Sequence, residues 1–220
     1  MKFILLVSAM SLFAAEGPRT FRAVFEPEAQ TLGAGKSPKF YARRAQGLMM
    51  IKTVPGKNGA DLIFQSSPDL AESFTESMRV NDTAGEVNDH GENSPQLLTS
   101  PDEATLYAVW NGRDPKNPEA TAIRFSKAGS MRTSWSPAVT VNDDGKAVSH
   151  SFQTAAVAPD GTIYIAWLDG RDGRGATDGA TGGTTSIYMT KSTDGGKTWS
   201  RNVRVGTNVC PCCRVTWGFV

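Results

Sequence analysis

The stretch Ser192-Thr193-Asp194-Gly195-Gly196-Lys197-Thr198-Trp199 decides how the rest of the chain is read. Its residue types predict a tight turn between two strands. Asp194 can accept hydrogen bonds from backbone N–H groups of the loop, Gly195 and Gly196 allow positive φ, and Trp199 can pack beneath the sheet.

Two other stretches align with it when the chain is compared with itself. Ser66-Ser67-Pro68-Asp69-Leu70-Ala71-Glu72-Ser73-Phe74 leads into Met78-Arg79-Val80-Asn81-Asp82. Ser126 to Trp135 leads into Val139-Thr140-Val141-Asn142-Asp143, and the intact stretch leads into Val203-Arg204-Val205-Gly206-Thr207. A second element repeats as well. Pro101-Asp102 precedes Leu106-Tyr107-Ala108-Val109-Trp110-Asn111-Gly112-Arg113-Asp114, and Pro159-Asp160-Gly161 precedes Ile163-Tyr164-Ile165-Ala166-Trp167-Leu168-Asp169-Gly170-Arg171-Asp172. A period of about sixty residues, rich in short strands, predicts propeller blades rather than a helical solenoid.

The pattern Ser-x-Asp-x-Gly-x-Thr-Trp resembles the Asp-box, or BNR repeat, of sialidases and related β-propellers. The resemblance implies an all-β fold of about three four-stranded blades plus the first strand of a fourth, in a truncated, exported, bacterial-type member of that family. It also implies that the box joins the third and fourth strands of a blade. Ser192, Asp194, Gly196, Thr198 and Trp199 are then structural.

Along the chain, Met1-Lys2 and the apolar run Phe3 to Ala15 read as a signal peptide (residues 1–15), too short to span a membrane. The competing reading is a buried N-terminal strand. Export to the periplasm or the extracellular space is the expectation. Residues 16–36 read as a lead-in with a strand at Phe21–Phe25. The partial propeller occupies 37–220, with blades at about 37–82, 94–143 and 152–206, and a fourth beginning at Val209. Expected strands are Gly47–Val54 and Asp61–Gln65 in the first blade, and Gln96–Ser100, Thr105–Trp110, Thr121–Phe125 and Ala138–Asn142 in the second. The third should hold Thr154–Ala158, Thr162–Leu168, Ser186–Lys191 and Asn202–Val205. Propellers close with about four to eight blades. Three would leave sheet edges open, so a longer protein is expected, with self-association or a true half-propeller as the alternatives.

The 23 basic and 22 acidic residues give a formal charge of +1. No basic block offers phosphate neutralisation, which argues against nucleic acid as the main partner. The family resemblance implies a glycan partner.

That resemblance also places the linkers before each blade, Asn111–Asp114 and Asp169–Thr185 on the face where sialidases act. His90 precedes the second blade, His150 the third, and Cys210-Pro211-Cys212-Cys213 the fourth, at two successive spacings of 60. They are the only two histidines and three cysteines. Imidazole and thiolate together suit copper or zinc, so His90, His150, Cys210, Cys212 and Cys213 are metal candidates. Against this, cysteines of exported proteins usually form disulfides, here one bridge plus a free thiol, and each histidine can simply hydrogen-bond a loop.

Arg113-Asp114 and Arg171-Asp172 occupy matching places. A guanidinium fork suits a carboxylate-bearing sugar, whereas an ion pair with the adjacent aspartate is the plainer account. Arg113, Arg171, His90 and His150 are therefore the candidate glycan contacts. Asp169, Asp172 and Asp178 can offer oxygens to calcium, although their spacing fits no defined calcium motif.

Sialidase chemistry, as the resemblance implies it, needs an arginine triad, an acid/base aspartate and a tyrosine nucleophile with its glutamate. Where the family has an early Arg-Ile-Pro, this chain has Ser37-Pro38-Lys39-Phe40-Tyr41-Ala42-Arg43-Arg44. No catalytic residue carries over. Glycan binding, or glycoside hydrolysis by a full-length form, is the first expectation, with this chain inactive alone. A non-catalytic propeller with a His/Cys metal site or a protein-binding face is the second.

Overall fold

The computed structural model describes residues 33–43, 47–69, 71–114, 117, 119–129, 134–173 and 185–216. The expected signal peptide, the strand at Phe21–Phe25 and Asp178 lie outside these residues. The described chain is all β, with no helix. It forms three four-stranded sheets, each an antiparallel meander in sequence order.

The first sheet holds β1 (Lys36–Ala42), β2 (Leu48–Gly56), β3 (Gly59–Ser67) and β4 (Met78–Arg79). The second holds β5 (Gln96–Thr99), β6 (Leu106–Arg113), β7 (Thr121–Ala128) and β8 (Val139–Thr140). The third holds β9 (His150–Val157), β10 (Ile163–Asp169), β11 (Ser186–Ser192) and β12 (Val203–Gly206).

Strand periodicity explains the stacking. In β6, Leu106, Ala108 and Trp110 point one way into a core shared with Met49, Ile51, Leu62 and Phe64 of the first sheet. Tyr107 and Val109 point the other way, into a core shared with Ile163, Ile165 and Trp167 of the third. A strand buried on both faces reads as an unbroken apolar run, and β6 does. The second sheet thus lies between the other two. Among the described residues, the first and third sheets share neither core, and the three sheets do not close.

The Ser192–Trp199 turn is built by its own side chains. Asp194 Oδ1 accepts from the N–H groups of Lys197 (3.0 Å) and Thr198 (2.9 Å), and Oδ2 accepts from Thr198 Oγ1 (2.6 Å). Ser192 Oγ donates to Asp194 Oδ1 (2.8 Å) and accepts from Gly196 N–H (2.8 Å). These bonds, led by Thr198, hold the Asp194 carboxyl well below the usual carboxylate range. Trp199 meets Phe125 of the second sheet edge-to-face at 5.0 Å. The same construction recurs at Ser67, Asp69 and Ser73, where bonds from Ser73 and then Ser67 lower Asp69 to about 2. Ala71 there takes a φ of 82°, matching Gly196 at 77°.

The repeated Val-Asn-Asp runs after β4 and β8 act as clips between neighbouring sheets. Asn81 Oδ1 accepts from Leu62 N–H (2.8 Å) and Asn142 Oδ1 from Ile123 N–H (3.0 Å), each tying the run to its own sheet. The next residue reaches across. Asp82 Oδ2 accepts from Ala138 N–H and Asp143 Oδ2 from Asn202 N–H, both at 2.9 Å. Each aspartate also meets an arginine of the following sheet: Asp82 with Arg124 (3.3 Å) and Asp143 with Arg171 (2.9 Å).

Several elements differ from the sequence expectation. β1 and β4 are not among the strands placed from sequence in the first blade; β4 is only two residues long. Pro38 is accommodated at an irregularity in register between Lys36 and Lys39. β9 begins at His150, four residues before the expected Thr154, so His150 belongs to a strand and not to a linker. The strand expected from Val209 does not form over 209–216. Pro211 offers no N–H for a ladder, and the segment turns at Pro211–Cys213, although Val209 N–H reaches Thr185 O at 3.1 Å. Residues 217–220 lie outside the described chain.

Candidate functional site

The linkers that enter β5 and β9 and the loop that follows β6 meet at one end of the sheets. Buried asparagines hold them together. Asn88 N–H donates to Asn111 O (2.9 Å), and Asn88 Nδ2 donates to Asn111 Oδ1 (2.7 Å). Asn111 Nδ2 donates onward to the carbonyl of His150. Asn93 Nδ2 donates to Asn88 O (3.2 Å), and its Oδ1 accepts from Phe152 N–H (2.8 Å). Each of these asparagines is buried, so their amides bond protein groups, backbone and side chain, and not the solvent.

Three side chains emerge from this scaffold. Arg113, exposed at the end of β6, is steadied by NH2 donating to Asn88 Oδ1 at 2.5 Å. His90, also exposed, meets Phe152 edge-to-face at 6.3 Å. Phe152 is half-buried, with a φ of 53° that turns the start of β9. A register irregularity faces it between Ala166 and Leu168, and bulges of this kind re-aim side chains at sheet ends. Arg113 also lines a groove of about 390 Å³ together with Glu86, Asp114, Thr121, Arg124 and Lys146. A second groove, of about 570 Å³, opens at the opposite end of the strands beside Tyr107, Trp135 and Lys197.

The other two candidate glycan contacts are turned inward. His150 is fully buried. Its Nδ1 faces the Thr121 carbonyl at 2.6 Å, and since a carbonyl only accepts, Nδ1 carries the hydrogen. Nε2 faces Asp144 Oδ1 (3.1 Å), Asn142 Nδ2 (3.3 Å) and Asp169 Oδ2 (3.7 Å). Arg171 does not pair with the adjacent Asp172, the partner expected from sequence. It pairs with the buried Asp169 (2.8 Å) and with Asp143 (2.9 Å), and it lies over the Tyr188 ring at 4.1 Å. Asp172 instead accepts from Tyr188 Oη (3.1 Å) and meets Arg204 (3.3 Å).

Asp144, His150 and Asp169 bring ligand atoms within 4.8 Å of one another. Yet Asp169 Oδ2 already accepts from Trp167 Nε1 (2.7 Å) and Arg171 Nε (2.9 Å). The guanidinium supplies the positive charge that a metal ion would bring, so the cluster is an ion-pair network. It has a counterpart one sheet earlier. There Trp110 Nε1 donates to Glu86 Oε1 (3.3 Å), and Arg124 meets Glu86 Oε2 (3.5 Å). Burial raises the Glu86 pKa, opposed by Arg124. A raised carboxyl in a groove would ordinarily suggest an acid catalyst. Recurrence of the tryptophan–carboxylate–arginine unit in two sheets marks it as part of the fold instead.

The expected composite His/Cys site is not assembled. His150 keeps company with Asp144 and Asp169, the cysteines form a group of their own, and His90 joins neither group. Cys210 and Cys212 are disulfide-bonded, and Cys213 is a free, exposed thiol. Asn88, Asn93 and Phe152 escaped sequence reasoning, whereas the resemblance put Asn111, beside the repeated tryptophan, on the expected face.

No protein-family model and no curated protein matches the sequence. Among solved structures, the chain is similar to an α-L-arabinofuranosidase of Fusarium graminearum in complex with an iminosugar inhibitor. The TM-score is 0.52 at 14% identity, over 76% of this chain and 49% of that one. A GH93 α-L-arabinofuranosidase of the same fungus, bound to arabinobiose, gives the same TM-score, identity and coverage. A Hadza microbial sialidase is similar at a TM-score of 0.49 and 15% identity, over 78% of this chain and 37% of that one. The fold is that of the β-propeller glycosidases, with the three sheets as blades. The chain spans about half the length of the arabinofuranosidases it matches.

Proposed function

We propose that this chain is a carbohydrate-active propeller that binds a carboxylate-bearing glycan where Arg113, His90 and Phe152 emerge. The observation that carries the reading is Arg113, an exposed guanidinium set by the buried Asn88 at the mouth of a groove. A guanidinium pre-set in this way gives a carboxylate its fork without much ordering cost. Phe152 and His90, on the linkers held by the same asparagine network, offer apolar and polar edges to a sugar ring. The solved structures of similar fold, with arabinobiose and with an iminosugar, support a saccharide as the ligand class.

Hydrolysis is not assigned to these residues. The Glu86 carboxylate in the groove is held by Trp110 and Arg124 as a structural partner, which leaves no assigned pair of carboxylates to flank a glycosidic bond.

The test is calorimetric titration with sialyllactose, using arabinobiose as the neutral comparator. Loss of a charge-assisted hydrogen bond is worth about 1.5–3 kcal/mol, so Arg113→Ala should weaken sialyllactose binding by about 10- to 100-fold. Arabinobiose binding should change far less. Equal affinity of wild type and variant for sialyllactose would remove the assignment.

A further inference from the structure

The Cys210–Cys213 segment plays no part in the glycan reading, and it gathers the chain's three cysteines. All three Sγ atoms lie within 4.8 Å of one another, with Cys212 and Cys213 at 3.9 Å. All three residues are exposed. Pro211 fixes the turn between the first two, and Val209 N–H anchors its base to Thr185 O at 3.1 Å. In the structure two of the sulfurs are tied up in the Cys210–Cys212 bridge.

We propose that, once this bridge is reduced, Cys210, Cys212 and Cys213 bind one monovalent copper ion as three thiolates. An external dithiol would supply the two electrons and two protons, becoming a disulfide itself while Cys210 and Cys212 become thiols. The copper ion then displaces three protons and forms three Cu–S bonds. The donor set selects the metal. Thiolates are soft ligands that favour monovalent copper. A structural zinc site requires a fourth ligand to close a tetrahedron, and neither histidine joins this sulfur group. The site carries net negative charge, but its exposure leaves much of that charge in water, which keeps the desolvation cost small. Oxidation removes two of the three ligands, which makes binding conditional on the redox state.

The experiment uses the whole chain, reduced anaerobically with dithiothreitol, desalted, and titrated with monovalent copper against bicinchoninate. Reduced wild type should withdraw one equivalent of copper, and unreduced protein should withdraw none. Cys213→Ser, an exposed substitution expected to keep the wild-type unfolding temperature, should bind about tenfold more weakly or worse. His90→Ala should bind as wild type does. Equal binding by reduced wild type and reduced Cys213→Ser would overturn the three-thiolate site. So would equal binding by oxidised and reduced protein, loss of copper in His90→Ala, or tighter binding of zinc than of copper.

Discussion

Replacing Asp169 by alanine should lower the free energy of unfolding by about 3–5 kcal/mol, the usual cost of removing one member of a buried ion pair. The residue is fully buried. Its Oδ2 accepts from Trp167 Nε1 at 2.7 Å and from Arg171 Nε at 2.9 Å, while Oδ1 accepts from Arg171 N–H at 2.8 Å. Truncation leaves an indole N–H without its acceptor and a guanidinium without its nearest counter-charge. It also loosens the clip between the second and third sheets, because Arg171 carries the contact to Asp143. Urea denaturation measures the effect. Glu86→Ala supplies the internal comparison, and its loss should be smaller because the Glu86 contacts are longer, at 3.3 and 3.5 Å. A cost under about 1 kcal/mol for Asp169→Ala would mean that the network is peripheral to stability.

The second large effect is expected at Gly196. A Cβ there would lie 2.3 Å from Phe125 Cε1 and 2.4 Å from Cζ, with the backbone at a φ of 77°. Both problems act together in Gly196→Ala. Overpacking typically costs about 1–3 kcal/mol, and the left-handed conformation adds about 1–2 kcal/mol for a residue with a side chain. Phe125 cannot simply turn away, because it is held between Trp199 at 5.0 Å and Tyr107 at 5.7 Å. Phe125→Leu in the same chain should recover the steric part and leave the conformational part. Thermal unfolding of the two single variants and the double variant separates them. Strict additivity of the two substitutions would show that the contact is not made.

What was legible in the sequence is what lies close together along the chain. The Ser192–Trp199 turn closes its own hydrogen bonds within a few residues, and β6 and β10 announce themselves as apolar runs between polar turns. The repeat then supplied the number of sheets. Contacts between sheets were not legible. Asp143 finds Asn202 at a separation of 59 residues, and nothing in Val-Asn-Asp says which amide it will cap. Arg171 illustrates the same limit: its neighbour in sequence is Asp172, but its partners are Asp169 and Asp143. Equal spacing also misled. His90 and His150 are 60 residues apart, yet β9 begins at His150 while β5 begins only at Gln96. One imidazole is therefore sealed in a core network, and the other is left at the surface.

The glycan assignment concerns one place on the molecule, and a crystal structure of the protein soaked with sialyllactose tests it most directly. The account predicts ordered saccharide density with its carboxylate on Arg113 and a ring against His90 and Phe152. Density seated at the opposite end, in the groove beside Tyr107 and Trp135, would contradict it. So would the absence of bound saccharide at Arg113 in crystals that leave this face open.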